Sequence, residues 1–324
     1  MYDDVLRDTT MKKRYHVRIR ALAAVLCVAL IFLPGERIQA EDGDGPAQQR
    51  RSVLTQMEEL YAQIGILGKM PDSTAKTLLI NQKDREIVGL GGANFAGKRI
   101  VCLGDSITAG AGGETDESGR LIGYCDYLAA ILGCEVVNQG IGGTTVGSYF
   151  IENSFVERYD QIPEDADIII LEGGLNDYQV FAQGLYTEFG DIHRREAGTY
   201  CGDAYILYAG IKEKYPNADV FVVTSNRSYL ETLYHGVEPH SLEEFMRVQR
   251  LYAERMGFHV IDLYASGFLS CRDETSRELW MMDIVHPNAD GHVLLAERVA
   301  SELMFFYSRC QTTRTGTGRT RAYQ

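Results

Sequence analysis

Five short apolar runs, separated by segments of helical pattern, constrain the fold of this chain more than any other feature. The runs are β-rich and begin near residues 100, 134, 168, 220 and 259. The segments with helical spacing of apolar residues lie at about 124–132, 204–215, 242–256 and 289–306. Such alternation is typical of a parallel sheet with crossover helices. The sequence therefore predicts an α/β fold in three layers, α/β/α, with a mainly parallel five-stranded sheet.

The composition is that of one main folded domain with appendages. The 324 residues are 45% hydrophobic, which is enough apolar material for one sizeable core and excludes a disordered chain. The net charge is −13, although both ends of the chain are basic. A nucleic-acid-binding surface needs a basic footprint. The charge therefore argues against a nucleic-acid partner.

Residues 1–40 have the form of a secretory signal. A basic stretch over residues 11–20 precedes an apolar run from Ala21 to Leu33, and Ala40 stands before an acidic segment. This order predicts cleavage after Ala40, and the run is short for a membrane span. An uncleaved membrane anchor is the alternative. The protein is therefore predicted to be secreted or at the cell surface, with membrane contact only through this segment.

Residues 41–97 are predicted to be a linker followed by an N-terminal helical extension. The chain is polar from Glu41 to Arg51, and Ser52 opens a segment whose apolar residues fall on one helix face. We expect this helix to pack on the main domain at residues 98–308, and a partner-binding helix is the alternative. The sequence does not indicate a function for residues 66–97. The tail at 309–324 is predicted to be disordered.

The first apolar run ends in a candidate nucleophile. Gly104, Asp105 and Ser106 follow it directly, and a glycine-containing loop comes next. This order leaves the Ser106 hydroxyl at the carboxyl end of a strand, where open α/β sheets bind ligands. Capping of a turn or helix is the alternative role for this serine. A nucleophilic serine needs a base for its proton and donors for the charge on the substrate oxygen.

The best candidate base lies near the far end of the chain. Asp283 and His286 are three residues apart, a spacing at which one turn of chain brings a carboxylate beside an imidazole. Such a contact fixes the imidazole tautomer and stabilises its protonated form. His292 is a rival, but Asp290 is only two residues from it, and such residues do not face each other on a helix. We therefore favour His286.

Two segments between these blocks offer hydrogen-bond donors. Residues 138–145 contain Gly142 and Gly143, whose backbone N–H groups no side chain obstructs. Residues 173–177 supply the Asn176 side-chain amide, for which bonding to its own loop backbone is the alternative. Neighbouring Asp177, like Asp105 beside the serine, is expected to hold its loop by accepting N–H bonds.

The four blocks together resemble the GDSL/SGNH hydrolase family, in the same order and at plausible separations. The resemblance extends over roughly residues 98 to 306 and implies a flavodoxin-like fold. The matching blocks are Gly104-Asp105-Ser106-Ile107, the Gly143 turn, Gly174-x-Asn176-Asp177 and Asp283-x-x-His286-Pro287.

The resemblance implies a role for each candidate residue. Ser106 would be the nucleophile, His286 the general base and Asp283 its partner. The oxyanion hole would consist of the Ser106 N–H, the Gly143 N–H and the Asn176 side chain. Gly142 would replace Gly143 if the turn were shifted by one residue.

The resemblance also implies a serine ester hydrolase that acts through an acyl-serine intermediate and needs neither cofactor nor metal. The family includes lipases, thioesterases and esterases that deacetylate sugars. The predicted export, the acidic body and the lack of a long apolar lid favour small acyl groups, such as acetyl, on carbohydrate or cell-wall glycan. A lysophospholipase or other lipid acylhydrolase and a thioesterase are the alternatives.

Two other classes of function remain beside the enzyme. A non-catalytic surface binding module could keep the same fold, although every catalytic block is intact. A phosphate binder could use the glycines after the first strand, but these lack a P-loop pattern. The cysteines outside the signal show no spacing typical of a metal site, and the sequence leaves their disulfide pairing and the oligomeric state open.

Overall fold

A five-stranded parallel sheet lies at the centre of the computed structural model, which describes residues 45–148, 150, 152–185, 188–235 and 240–316. The central strands are β1 (Arg99–Gly104), β4 (Glu135–Gly140), β5 (Ile168–Glu172), β6 (Asp219–Val223) and β7 (His259–Ile261). Their order is β4-β1-β5-β6-β7, and all pairs are parallel. Two short strands, β2 (Glu114–Thr115) and β3 (Leu121–Ile122), form a separate antiparallel pair. The predicted fold class is confirmed.

Helices cover both faces of this sheet. They are α1 (Pro46–Gly68), α2 (Thr74–Leu90), α3 (Tyr124–Leu132), α4 (Phe155–Arg158), α5 (Leu175–Ala182), α6 (Tyr200–Lys214), α7 (Leu230–Leu233), α8 (Leu242–Met256), α9 (Leu263–Ser266), α10 (Glu274–Trp280) and α11 (Ala289–Gly316). Alternate β1 residues enter two different cores, because side chains of a strand point to opposite faces. Val101 and Leu103 pack with α5, α6 and α8. Ile100 and Cys102 pack with α1, α2, α3 and α11.

The register of the central strands brings three strand ends to one level. Gly104 at the end of β1 pairs with Gly140 of β4 on one side and with Glu172 of β5 on the other. Residues that follow these three strands therefore emerge side by side at one edge of the sheet. In open parallel sheets this edge is where ligands bind.

The N-terminal extension contains more helix than the sequence predicted. Helix α1 begins at Pro46, so the second half of the expected 41–51 linker is helical. Proline is favoured in the first turn because its missing N–H would be unpaired there in any case. Met57 and Ile64 of α1 are buried in the core that also contains residues of α2, α11 and β1, which supports packing on the main domain rather than on a partner.

Helix α2 lies within the predicted helical extension, in residues 66–97, where the sequence analysis placed no individual helix. Ser73 caps it by accepting the Lys76 N–H, and Ile80 and Ile87 are fully buried. However, Leu78 and Leu79 are exposed, while several polar side chains on the same helix are buried. The apolar periodicity that marks most surface helices is therefore obscured in this segment.

The last helix also differs from the prediction. Helix α11 continues to Gly316, so the expected disordered tail is wrong for residues 309–316. Buried residues such as Val299 and Leu303 anchor the helix before its polar continuation begins. A helix that is already nucleated gains one hydrogen bond for each residue added, so it extends into a polar continuation. Residues 317–324 and the predicted signal segment lie outside the described residues.

The cysteines at 102, 125, 134, 201, 271 and 310 are free thiols. Within the described ranges, no helix has both the length and the apolar character needed to cross a membrane.

Candidate active site

The loop that carries Ser106, the candidate nucleophile, turns sharply after β1 and is held from inside the protein. Buried Asp105 accepts the Ile107 N–H at 2.9 Å, as expected of a loop-holding carboxylate. Burial raises the pKa of Asp105 to about 6, against the effect of that hydrogen bond. The Ser106 carbonyl accepts the Ala111 N–H at 2.9 Å, which closes the turn. The Ser106 side chain is thereby left at the sheet edge.

The three predicted triad residues lie in one hydrogen-bonded chain. His286 Nε2 is 2.9 Å from Ser106 Oγ, across 180 positions of sequence. His286 Nδ1 is 2.8 Å from Asp283 Oδ2. The other Asp283 oxygen accepts the N–H groups of Val285 and His286, each at 2.7 Å. Because Nδ1 faces a carboxylate, it carries the proton, and Nε2 is left to accept from the serine hydroxyl.

The contact between Asp283 and His286 shifts the pKa of both groups toward their charged forms. The hydrogen bond that His286 donates to Asp283 raises the pKa of His286 above its usual value, although burial opposes the shift. Burial alone would raise the pKa of Asp283, but the hydrogen bonds from His286 and two backbone N–H groups lower it instead. The carboxylate therefore stays ionised beside the imidazole.

The glycine turn after β4 lies against the serine. A Cβ placed on Gly142 would be 3.9 Å from Ser106 Cβ. Gly143 has φ +78°, a conformation that side-chain-bearing residues rarely adopt. Across the described ranges, the N–H groups of Ser106, Gly142 and Gly143 donate to no protein acceptor.

Asn176 lies in the first turn of α5 and reaches the same turn. Its Nδ2 donates to the Thr144 carbonyl at 3.0 Å and is 3.5 Å from Asp105 Oδ2. The alternative of a bond to its own loop backbone is thus not what the structure has. Neighbouring Asp177 is buried and accepts the Val146 N–H at 3.0 and 3.1 Å, which confirms its loop-holding role.

The rival base His292 is fully buried and engaged on both ring nitrogens. Its Nδ1 accepts the Tyr124 N–H at 3.2 Å, and its Nε2 donates to the Ala111 carbonyl at 3.0 Å. Burial lowers its pKa, which favours the neutral form. His292 therefore fixes the loop that follows Ser106 rather than serving as a base.

Two aromatic residues that flank the site in sequence prove to be packing residues. Trp280 and Tyr178 are both buried. Tyr178 belongs to the core under α5 and contacts Phe245 edge-on, with ring centroids 5.9 Å apart. Neither ring offers a broad face to a substrate.

Two polar residues under the site were missed by the sequence analysis. Buried Glu172 accepts the Thr108 hydroxyl at 2.9 Å, and buried Arg158 donates to the Gly104 carbonyl at 2.6 Å. Glu172 ends an apolar run and gives no local sign of its role. Arg158 does give one, because it is the only lysine or arginine between Arg120 and Arg194.

The sequence of this chain is similar to those of known ester hydrolases. The model of the GDSL-like Lipase/Acylhydrolase family matches residues 102–294. The chain is 25% identical over 198 residues to a rhamnogalacturonan acetylesterase from Emericella nidulans, covering 57% of this chain and 80% of that protein. It is 23% identical over 229 residues to an acetylxylan esterase from Geobacillus stearothermophilus, covering 66% and 97%.

A solved structure is also similar. A protein from Lactobacillus plantarum superimposes with a TM-score of 0.56 at 26% identity, covering 65% of this chain and 97% of that one. The family model extends over more than half of the chain and includes Ser106, Asn176, Asp283 and His286. This chain therefore belongs to the GDSL-like lipase/acylhydrolase family and is an ester-hydrolysing serine hydrolase.

Proposed function

We propose that Ser106 is the nucleophile, with His286 as its general base and Asp283 as the partner of the histidine. The contact of 2.9 Å between His286 Nε2 and Ser106 Oγ carries this proposal. It lies within the range in which a base can take a proton from a nucleophile. The side chain of His286 is 24% exposed, so a substrate can approach the pair from solvent.

The reaction then proceeds in two acyl-transfer steps. His286 takes the Ser106 proton as the serine oxygen attacks the ester carbonyl, and it returns that proton to the leaving alcohol. The acyl group is now bonded to Ser106. Water, deprotonated by His286, attacks this acyl-serine; the acid leaves and the proton returns to the serine oxygen. Asp283 stabilises the protonated imidazole in both steps.

The oxyanion pocket is the second part of the proposal. We assign it the N–H of Ser106, the N–H of Gly143 and the Asn176 amide. Support comes from the turn contact with Ser106 and from the bond that ties Asn176 to Thr144 beside that turn. Donors placed where charge develops stabilise the transition state without reorganising.

For the substrate, we propose a small acyl group, such as acetyl, on a carbohydrate or cell-wall glycan. The oxyanion turn at residues 141–143 is exposed to solvent, which leaves room for a bulky alcohol component. Both curated relatives described above are esterases of acetylated polysaccharides by name. The acidic body fits a neutral sugar chain better than a polyanion, since like charges repel.

A lipid ester is the second candidate substrate. Ile141 in the oxyanion turn is 41% exposed and Met282 beside Asp283 is 52% exposed. Exposed apolar side chains beside a catalytic group offer a surface for an acyl chain. This observation favours acyl groups longer than acetyl. A lysophospholipid is therefore included in the substrate comparison described below.

The first experiment tests the nucleophile. The protein is incubated with a fluorophosphonate, and the adduct is mapped by mass spectrometry. We expect the label on Ser106, lost in His286→Ala and retained in His193→Ala, since His193 is exposed and remote in sequence from every block. A label on another residue, or hydrolysis of an aryl acetate by Ser106→Ala, would contradict the proposal. No label and no hydrolysis would support a binding module.

The second experiment compares substrates by kcat/KM. Acetylated xylo-oligosaccharides and a lysophospholipid are tested against the same preparation. Higher kcat/KM on the acetylated sugar supports the glycan proposal, and the reverse order supports the lipid candidate.

We further propose that the protein is exported, on the basis of the basic and apolar segments within residues 1–33. N-terminal sequencing of the protein recovered outside the cell is expected to begin at Glu41. Recovery only in the membrane fraction with an intact first segment would indicate the anchor.

A further inference from the structure

Arg158 is a buried cation in the last turn of the short helix α4. The residue is only 4% exposed, and its guanidinium lies 5.1 Å from the centroid of the Phe155 ring. Long charged side chains are seldom buried to this degree unless they are paired. The hydrogen-bond acceptors around the Arg158 guanidinium account for its burial.

The guanidinium joins the strand ends that carry the site. One nitrogen donates to the Gly104 carbonyl at 2.6 Å, another to the Gln139 carbonyl at 2.5 Å, and Nε to the Asn153 carbonyl at 2.8 Å. Gly104 is two residues before Ser106, and Gln139 precedes the glycine turn. Arg158 thus ties the nucleophile strand to the strand that leads into the oxyanion turn.

Arg158 also contacts the turn itself. It donates to the Thr144 hydroxyl at 3.3 Å, while that hydroxyl donates to the Ile141 carbonyl at 2.8 Å. The Thr144 carbonyl accepts from Asn176. The hydrogen bonds of Arg158 therefore extend through Thr144 to both ends of the turn and to the amide donor.

In the described parts of the chain, every group that accepts a hydrogen bond from Arg158 is a neutral carbonyl or hydroxyl, and no carboxylate there forms an ion pair with it. Burial lowers its pKa to about 10, partly offset by attraction to Asp105. The guanidinium remains charged at neutral pH. A charge in a poorly polarisable interior acts at longer range than one in water.

We propose that Arg158 is a positioning residue for the oxyanion pocket, which it holds against the nucleophile strand and supplies with a positive charge from behind. It acts through Gly104, Gln139 and Thr144 and touches no substrate. The inference deepens the proposed function and rests on it, because a pocket for an oxyanion requires acyl transfer at Ser106.

The test compares two buried arginines. Arg158→Met and Arg158→Lys are made, and Arg298→Met and Arg298→Lys serve as matched controls, because Arg298 is 5% exposed but bonds to Asp84 and Glu302. For each folded variant, kcat and KM are measured with an aryl acetate, together with the inhibition constant of phenylboronic acid. This inhibitor bonds to the Ser106 oxygen, whose proton passes to His286, and its boron becomes a tetrahedral anion.

We expect Arg158→Met to lower kcat by roughly 10- to 100-fold, less than the loss of a direct donor, while KM changes by less than about threefold. The boronic acid inhibition constant should rise by a factor similar to the fall in kcat. Arg158→Lys keeps the positive charge but loses the planar set of N–H donors, and its kcat should lie between those of Arg158→Met and the parent. The Arg298 variants should lose stability and keep kcat. If Arg158→Met does not fold, Arg158→Lys alone supplies the comparison.

Two results would overturn the inference. One is folded Arg158 variants with kcat and boronic acid inhibition within about twofold of the parent. The other is an equal loss of kcat in the Arg298 variants. The proposed function is judged separately: it stands if Ser106→Ala is inactive even when the Arg158 variants are fully active, and it fails if Ser106→Ala still hydrolyses the ester.

Discussion

The sheet edge with the proposed triad, called the catalytic edge below, and the N-terminal helical pair of α1 and α2 use charged side chains in opposite ways. At the edge, Asp283 and His286 have side chains that are 34% and 24% exposed, and Asp283 also accepts two backbone N–H groups. Between α2 and α11, Asp84 of α2 pairs with Arg298 of α11 with almost no exposure, and Arg298 also bonds to Glu302. The edge leaves its charges open to a ligand, whereas the helical pair encloses its charges between helices.

The two regions also differ in their apolar surroundings. Met57, Ile80 and Ile87 of the helical pair are fully buried in the core that α11 and β1 share. The glycine turn at the catalytic edge is exposed. Changes in the buried contacts of the helical pair should therefore lower the free energy of unfolding and leave kcat unchanged. Changes at the catalytic edge should lower kcat and leave the free energy of unfolding nearly unchanged. Each prediction below tests one side of this difference.

The largest effect is expected at the nucleophile. Ser106→Ala should lower kcat by about 10⁶-fold, the scale seen when a triad serine is removed. The midpoint of thermal unfolding should remain close to that of the parent, since among the described residues the Ser106 hydroxyl is hydrogen-bonded to His286 alone. Steady-state kinetics and calorimetry measure the two effects. A large fall in the unfolding midpoint would show that the edge is also a structural element.

The second largest effect is expected from Asp283→Asn, which should lower kcat by about 10⁴-fold near neutral pH. His286 must be neutral to accept the serine proton, so activity rises with pH through the pKa of His286. Asp283 raises that pKa, and its replacement should move the acid limb of the kcat profile to lower pH. A profile that keeps its midpoint would mean that another group controls the histidine.

Where α11 meets the helical pair, Arg298→Met should lower the free energy of unfolding by about 3–5 kcal/mol, because the buried carboxylates of Asp84 and Glu302 lose their cationic partner. Denaturant titration measures this change. The kcat of the folded variant should match that of the parent. A loss of turnover without a loss of stability would remove the distinction between the two regions.

Asn176→Ala should lower kcat by about 100- to 1,000-fold, the usual cost of one oxyanion donor. KM should change little, since the amide acts mainly on the charge of the transition state. The same aryl acetate assay measures both constants. A rise in KM with unchanged kcat would instead assign Asn176 to substrate binding.

The smallest effect is expected from Tyr61→Phe in α1. The Tyr61 hydroxyl donates to Glu302 at 3.0 Å, and its ring stacks on Phe305 with centroids 4.4 Å apart. Phenylalanine keeps the stack and loses only the hydrogen bond, at a cost of about 0.5–1.5 kcal/mol in unfolding free energy. Denaturant titration at constant pH measures it, and unchanged kinetics complete the comparison.

Local pattern predicted the elements that are amphipathic in the ordinary sense. The bounds of α3 and α8 agree with the sequence, and every expected strand is present. The local pattern did not reveal helix α2, because Leu78 faces solvent while Asp84 is buried with Arg298. An ion pair that joins residues 214 positions apart cannot be read from a local window.

The sequence by itself determined the chain order of the five central strands and of the main helices that alternate with them, and it pointed to the blocks proposed to carry the nucleophile and its base. Its short motifs are local: a hydroxyl after a strand, glycines in a turn, and a carboxylate three residues before a histidine. Tertiary structure alone decided that His292 is a buried loop anchor, that Trp280 is core and that Arg158 lies beneath the glycine turn that follows β4. Burial and partner choice depend on which distant segments the folded sheet brings together, and no spacing along the chain encodes that directly.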